Sequence, residues 1–393
     1  MARECLRSID LFSGAGGLSE GLAGAGFQVL FSNEIDPEYA LTYRSNHPGV
    51  RMSTADIRTV DARKVMDDLK LKSGELDLMA GGPPCQGYSI NAPSRSLADG
   101  RNHLFREFLR FAEVFSPRAI LIENVPGLVS FENGRTLKDM LDSLSGLGYG
   151  AGVRILGAPY YGIPQMRWRT VIIGLRGKDV PPSAFPVPEF RAPVRANFTA
   201  TLNGIGLIME PGPGSSSDFV TVRHAIGDLP PLRNGERGAP VKGYASGPSC
   251  AYQERAREGA EGVLNHEAPM LSEINLKRLR YVKPGGNWTD IPDSLLPRGM
   301  QLARKSDHTK RYGRVEPDGL ASTILTKCDP HWGAYFHYDQ DRSFTVREAA
   351  RLQSFPDNFV FYGTRVQQFA QVGNAIPPLM ATSIGIAMKS VLS

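Results

Sequence analysis

Apolar and polar positions along the chain alternate between short buried runs and segments of helical spacing, the pattern of an α/β protein. Ser8-Ile9-Asp10-Leu11-Phe12 reads as a strand, and Ser13-Gly14-Ala15-Gly16-Gly17 turns it into a helix that ends near Gly24 or Gly26. Val29-Leu30-Phe31 predicts the next strand, closing at Asn33-Glu34-Ile35-Asp36, and Leu76-Asp77-Leu78-Met79-Ala80 another, broken by Gly81-Gly82-Pro83-Pro84. Phe105 to Phe115 has helical spacing, Arg118 to Ile122 predicts a buried strand ending at Glu123-Asn124, and Thr136 to Leu147 predicts an amphipathic helix. After Arg176 prolines break the sheet pattern. Helical periodicity returns at Thr345–Gln353, stops at Pro356, and returns as a last apolar helix after Pro377-Pro378 that is expected to pack on the first domain.

These elements place polar groups where a site forms. In open α/β sheets ligands bind beyond the carboxyl ends of strands, and Asp10, Glu34, Cys85 and Glu123 all fall at such ends. Cys85 sits on a loop whose glycines admit another molecule and whose prolines limit its conformations. It reads as a nucleophile, with a buried structural cysteine as the competing reading. Residues 91–100 read as a polar, mobile stretch. Gly14, Gly16 and Gly17 suit a cofactor at a helix N-terminus, with Glu34 where a carboxylate takes ribose hydroxyls. The turn has Ser19 where Gly-x-Gly-x-x-Gly needs its last glycine, which disfavours pyrophosphate and favours a nucleoside cofactor without phosphates. If Gln165 to Gly174 is one strand, its period of two puts Gln165, Arg167 and Arg169 on one face; a charged edge strand is the alternative.

Composition sharpens this. The chain has 393 residues, 41% hydrophobic and 22% charged, enough for about two domains and unlike a disordered chain. No apolar run approaches the roughly 18 residues of a membrane span and no signal-peptide pattern opens the chain, so a cytoplasmic protein with no membrane partner is expected. Four cysteines, Cys5, Cys85, Cys250 and Cys328, are widely spaced, giving neither a zinc pattern nor a disulfide framework, and no metal is expected. Between Lys277 and Arg314 ten Lys or Arg stand against three Asp, an excess larger than the +5 of the whole chain, which favours a polyanion partner over a plain solvated face. The expected domains are 1–180 with 362–393 for the cofactor and chemistry, and 181–361 for a smaller domain whose target-recognition region covers about 181–343.

A nucleoside pocket, a loop thiol, a nearby carboxylate, arginines and a basic domain suggest chemistry on a nucleic-acid base. A thiolate adding to C6 of cytosine makes C5 nucleophilic, a carboxylic acid donating to N3 eases the addition, and a cytosine inside a duplex must first be flipped out.

The residues resemble the DNA (cytosine-5) methyltransferases, which use S-adenosylmethionine. Asp10-Leu-Phe-Ser-Gly-Ala-Gly-Gly17, Asn33-Glu-Ile-Asp36, Asp56-Ile57, Gly82-Pro-Pro-Cys-Gln86, Glu123-Asn-Val125, Gln165-x-Arg-x-Arg169, Arg347-Glu-x-x-Arg351 and Gly373-Asn-x-x-Pro-Pro378 stand in that family's order. The resemblance covers nearly the whole chain except the middle. It implies a Rossmann-like class I methyltransferase fold, a mixed seven-stranded sheet with helices on both faces, plus a smaller irregular target-recognition domain. It implies Cys85 as nucleophile and Glu123 as the acid on the flipped base, with Arg167 and Arg169 supporting base and loop. For S-adenosylmethionine it implies Phe12, Gly14, Gly16 and Gly17 near the methionine portion, Glu34 on the ribose, and Asp56 with Ile57 at the adenine, with Ile35 a further cofactor-binding residue. Pro84, Leu104, Asn374 and Ile376 complete that pocket. Double-stranded DNA is the expected partner of a monomeric bacterial enzyme, with a cognate restriction endonuclease as genetic partner unless it is an orphan. The tRNA-methylating branch is the alternative, disfavoured because its Cys-Phe-Thr signature is absent. A catalytically silent DNA-binding relative is disfavoured by Cys85 and Glu123, and an NAD dehydrogenase by Ser19.

Overall fold

The computed structural model describes residues 5–84, 104–198, 200–202, 204–237 and 240–393; Cys85 and the polar stretch 91–100 lie outside them. The strands are β1 Leu6–Leu11, β2 Phe27–Asn33, β3 Arg51–Ser53, β4 Leu78–Gly81, β5 Ala119–Asn124, β6 Tyr149–Gly157, β7 Trp168–Arg176, β8 Thr201–Leu202 and β9 Ile205–Gly206. The helices are α1 Gly17–Gly24, α2 Pro37–Asn46, α3 Ala62–Asp68, α4 Leu104–Phe115, α5 Gly127–Ser130, α6 Arg135–Gly146, α7 Val222–Ile226, α8 Ala251–Arg257, α9 Glu273–Leu279, α10 Arg298–Gln301, α11 Val346–Leu352, α12 Arg365–Asn374 and α13 Pro378–Leu392. They form two compact units: Met1–Tyr161 with Trp168–Ser217 and Ile376–Ser393, and Gly162–Arg167 with Asp218–Ala375.

The first unit is built on a seven-stranded sheet of order β3-β2-β1-β4-β5-β7-β6. Its first five strands are parallel, while β7 runs antiparallel to both β5 and β6. The chain order reverses between β1 and β4, the switch point beside which open sheets bind ligands. Register levels the strand ends there: Leu11 pairs with Asn33 on one side and Gly81 on the other, and Gly81 with Ile122. Gly81 has to be glycine, because a Cβ would lie 2.4 Å from the Leu11 carbonyl oxygen.

Strand alternation separates two environments. Ile9 and Leu11 join an apolar core with Met79, Ile120, Ile122 and Phe108, Phe111 and Phe115 of α4. Burying each Phe stabilises the unit by about 1.5–3 kcal/mol. Asp10 points the other way, toward Ser19 of α1 and Tyr43 of α2. The segment Arg365–Leu392 reaches a mean hydropathy of 1.4 over its most apolar window, but more than half of that window is buried and the helix breaks before Pro378. Its second part, α13, packs on α1, where Ala381 sits against Gly21.

The expected face of Gln165, Arg167 and Arg169 does not form. The strand starts at Trp168, because Gln165 N–H donates to the Ile163 carbonyl at 2.8 Å and Arg167 N–H to the Gln165 carbonyl at 2.9 Å, tight turns that break the period of two. The proline-rich stretch after Arg176 stays with the sheet unit as far as Ser217, since Ile155 N–H of edge strand β6 donates to the Leu207 carbonyl at 2.8 Å.

The second unit has little regular structure and is held by buried charge and a small core. Arg342 pairs with Glu348 at 2.6 Å, and Arg351 joins Asp357 at 2.6 Å to Asp228 at 3.2 Å. Burial alone would raise the Glu348 pKa, but Arg342 holds it far below the usual carboxylate range. Thr345 and Glu348 close a capping box on α11. Leu279, Val282, Trp288, Ile291, Met300 and Phe336 fill the core of the basic region.

Candidate active site

The carboxyl ends of β1, β2 and β5 bring Phe12, Glu34 and Glu123 to one edge of the sheet. Phe12 leaves β1 with φ 59°, a left-handed conformation that a bulky residue holds only when its surroundings impose it. Ser13 N–H then donates to the Asn33 carbonyl at 3.1 Å, fastening the turn to the end of β2. Gly14 N–H donates to Glu34 Oε2 at 2.9 Å, and Asp36 N–H to Glu34 Oε1 at 2.8 Å. Both carboxylate oxygens are therefore oriented while keeping lone pairs for further donors. Burial raises the Glu34 pKa, and the backbone bonds from Asp36 and Gly14 work against that rise.

Gly16 caps α1 with φ 104°, and a Cβ there would lie 2.7 Å from His47 Nε2, so no other residue fits. Gly17 opens the helix. Ile35 is 60% exposed, a large apolar side chain left open beside Glu34. Asp56 caps a 3₁₀ turn, accepting from Arg58 N–H at 3.0 Å and pairing with the Arg58 side chain, which lowers its pKa, while Ile57 behind it is buried. Leu104 begins α4 and packs on the core. Ile376 is buried in the sheet unit, whereas Asn374 ends α12 in the second unit and is exposed.

Two of the catalytic candidates, Glu123 and Arg169, meet beside β5. Glu123 forms a largely buried ion pair with Arg169 of β7. Burial raises the Glu123 pKa, and the Arg169 charge opposes that rise; burial likewise lowers the pKa of Arg169. A Cβ on Gly82 would lie 3.3 Å from Glu123 Oε2, and Asn124 Nδ2 donates to the Pro83 carbonyl at 3.4 Å. The exit of β4, through Gly82, Pro83 and half-buried Pro84, thus starts beside the carboxyl group and leads to Cys85. Arg167 takes no part in this cluster. Buried within the second unit, its guanidinium donates to the carbonyls of Ile324 at 3.3 Å, Gly373 at 2.8 Å and Ala375 at 2.9 Å. Gln165 is also absorbed there, donating to Leu352 O at 3.1 Å and accepting from Ile324 N–H at 2.9 Å.

Sequence reading missed what lies beneath the glycine turn. Ser19 Oγ donates to Asp10 Oδ2 at 2.7 Å and shares a 2.7 Å hydrogen bond with the Tyr43 hydroxyl. Burial pushes the pKa of Asp10 up to about 7 and that of neighbouring His47 down to about 4. An acid between two apolar strand residues, Ile9 and Leu11, is a signal that a buried partner must exist. Tyr43 gave none, because its role depends on how α2 packs. Among the described residues no group of three or more His, Cys, Asp or Glu could hold a metal ion.

A mixed seven-stranded sheet with helices, carrying its polar groups at the switch point, is the Rossmann-like methyltransferase fold. A solved structure described as a candidate DNA modification methyltransferase encoded within a prophage (E. coli) shares it, with a TM-score of 0.73 and 25% identity over 98% of this chain and 99% of that one. The chain belongs to the C-5 cytosine-specific DNA methylase family, whose model matches residues 6–390. It is 34% identical to the type II methyltransferase M.AgeI of Thalassovita gelatinovora, covering 99% of this chain and 100% of that one. It is 35% identical to the type II methyltransferase M1.HphI of Haemophilus parahaemolyticus, covering 98% and 86%.

Proposed function

We propose that this chain methylates C5 of a flipped cytosine in a defined duplex DNA sequence through a covalent adduct of Cys85. The observation that carries this reading is the buried Glu123–Arg169 pair beside the β4 exit that leads to Cys85. The Cys85 sulfur bonds to C6 as the C5–C6 double bond opens, while Glu123 gives a proton to N3, so the ring gains the nucleophile without gaining charge. Once C5 carries the methyl group its proton leaves to a base, the Cys85–C6 bond breaks, and N3 returns its proton to Glu123. Arg169 orients Glu123 throughout. The raised pKa keeps a proton available at pH values where an exposed glutamate has lost it.

S-adenosylmethionine fits the edge formed by β1 and β2, and it supplies an electrophilic methyl group. Glu34, with both oxygens oriented by backbone N–H groups, would take the ribose hydroxyls, and open Ile35 with Asp56 and Ile57 the adenine. Phe12, Gly14, Gly16 and Gly17 would line the methionine portion, with Pro84, Leu104, Asn374 and Ile376 completing the site. Residues 181–343 carry target recognition, their basic stretch facing phosphates. Relatives named type II methyltransferases support a bacterial restriction-modification role with a cognate endonuclease.

Duplex DNA with 5-fluorocytosine tests the mechanism, because fluorine cannot leave as a proton and the adduct persists. Wild type should form a trapped complex and Cys85→Ala neither complex nor product; a Cys85→Ala protein that still methylates C5 overturns it. Labelled S-adenosylmethionine offered with duplex DNA or tRNA separates the two branches of the family.

A further inference from the structure

Trp332 is 49% exposed in a unit whose other described tryptophan, Trp288, is 3% exposed. Its position is nevertheless fixed. Its backbone N–H donates to the Asp329 carbonyl at 2.9 Å, the His331 backbone N–H donates to Asp329 Oδ1 at 2.8 Å, and the His331 ring stands edge-on to the indole at 5.0 Å. Arg311 lies over the same indole, its guanidinium carbon 5.3 Å from the ring centroid. That arginine is held from behind by buried Trp288, whose N–H donates to the Arg311 carbonyl at 3.0 Å and whose indole N–H donates to the Asp307 carbonyl at 3.0 Å.

We propose that Trp332 and Arg311 form the surface that reads one base pair of the target sequence, a proposal that rests on duplex DNA being the substrate. Charge identifies the partner: exposed Arg304, Lys305 and Lys310 lie in the same strongly basic stretch, and free cations of this kind follow a phosphate backbone. Arg311 differs from them because its guanidinium is held over an indole while its Nη1 donates to Met300 Sδ at 3.4 Å, so two contacts fix its fork in place. A guanidinium fixed in plane discriminates among base edges, above all the paired acceptors of guanine in the major groove, whereas a phosphate demands only charge. The indole face supplies stacking or methyl contact, and its N–H, with no hydrogen-bond partner among the described residues, supplies one further donor.

The test maps 5-methylcytosine on a plasmid treated with wild type, Trp332→Ala, Trp332→Phe, Arg311→Ala and Arg311→Lys, with the salt dependence of binding measured for each. Wild type should mark one sequence. Trp332→Ala and both Arg311 variants should lose discrimination at one position by about tenfold to a hundredfold, and Trp332→Phe should retain most of it. Arg311→Lys keeps the charge without the fork, so it decides the matter even where an alanine variant fails to fold. An unchanged target with Arg311→Lys, or a salt slope reduced by about one with discrimination intact in Arg311→Ala, overturns the proposal by making Arg311 a phosphate contact. A wild type that marks no duplex DNA overturns the substrate reading instead.

Discussion

Glu123 and Arg169 meet as a buried ion pair across adjacent antiparallel strands. Glu123 stands opposite Val171, and Arg169, two residues away on the same side of β7, reaches it diagonally. Burial raises the pKa of the acid and the arginine limits that rise, so one partner positions the other and tempers its proton affinity.

Glu123→Gln keeps the shape and a hydrogen-bonding amide but removes the transferable proton. Single-turnover methyl transfer should fall by about 10²- to 10⁴-fold while cofactor and DNA binding change little. The wild-type rate should decline as pH rises through the raised pKa of Glu123, since the protonated form acts, and the variant should lack that decline. A lower melting temperature with an unchanged rate would make Glu123 a structural residue.

Arg169 and Arg167 should separate cleanly. Arg169→Ala removes the charge that holds the Glu123 pKa down, so the decline in rate should move to higher pH as overall turnover drops. Arg167→Ala strands the carbonyls of Ile324 and Gly373, while Ala375 keeps its bond from Gln353, and should cost about 1–3 kcal/mol of stability for each stranded carbonyl in denaturant unfolding. A pH profile moved by Arg167→Ala but not by Arg169→Ala would reverse these roles.

How much of this was legible depended on periodicity. Phe27–Asn33 and Ala119–Asn124 are apolar runs that end in polar residues, and α4 and α6 have clear apolar faces, so strands, helices and the acids at strand ends could be read directly. The arginine row could not, because hydrogen bonds between residues two apart leave no mark in the hydrophobic pattern. Nor could the attachment of 181–217 to the sheet unit, which rests on scattered backbone bonds such as Glu189 N–H to the Tyr160 carbonyl and Ile155 N–H to the Leu207 carbonyl and has no period. Glu34 was found as a polar residue ending a strand, yet its two backbone donors come from Gly14 and Asp36, whose convergence only folding creates.

The basic stretch should act through charge alone at its exposed positions. Replacing Arg304 and Lys305 together with Ala should weaken DNA binding across all sequences and flatten the salt dependence by roughly one unit of slope per lost phosphate contact. Affinity for S-adenosylmethionine should barely change. Filter or fluorescence binding over a range of salt concentrations checks this, and an unaltered slope would reduce the stretch to a solvated face.

Asp10 makes stability depend on pH in a direction opposite to an ordinary carboxylate. Its pKa is about 7 in the folded chain against 3.8 for the free side chain, because burial penalises the charge more than the Ser19 hydroxyl relieves it. The folded state therefore binds the proton more tightly than the unfolded state, and the stability this confers is full below about pH 4 and is lost as pH rises through about 7. His47 works in the opposite sense: its pKa, lowered to about 4 from 6.5, gives stability above the unfolded value that is lost as pH falls toward 4. Comparing wild type with Asp10→Asn cancels the histidine contribution, since both proteins carry it. Between about pH 5 and pH 8 the stability difference should shift by roughly 2–3 kcal/mol in favour of the variant, which has no charge to bury. Urea unfolding of both proteins across that range measures the shift. A difference that stays flat with pH would mean that Asp10 is ionised throughout, held by Ser19 and the turn rather than neutralised by burial.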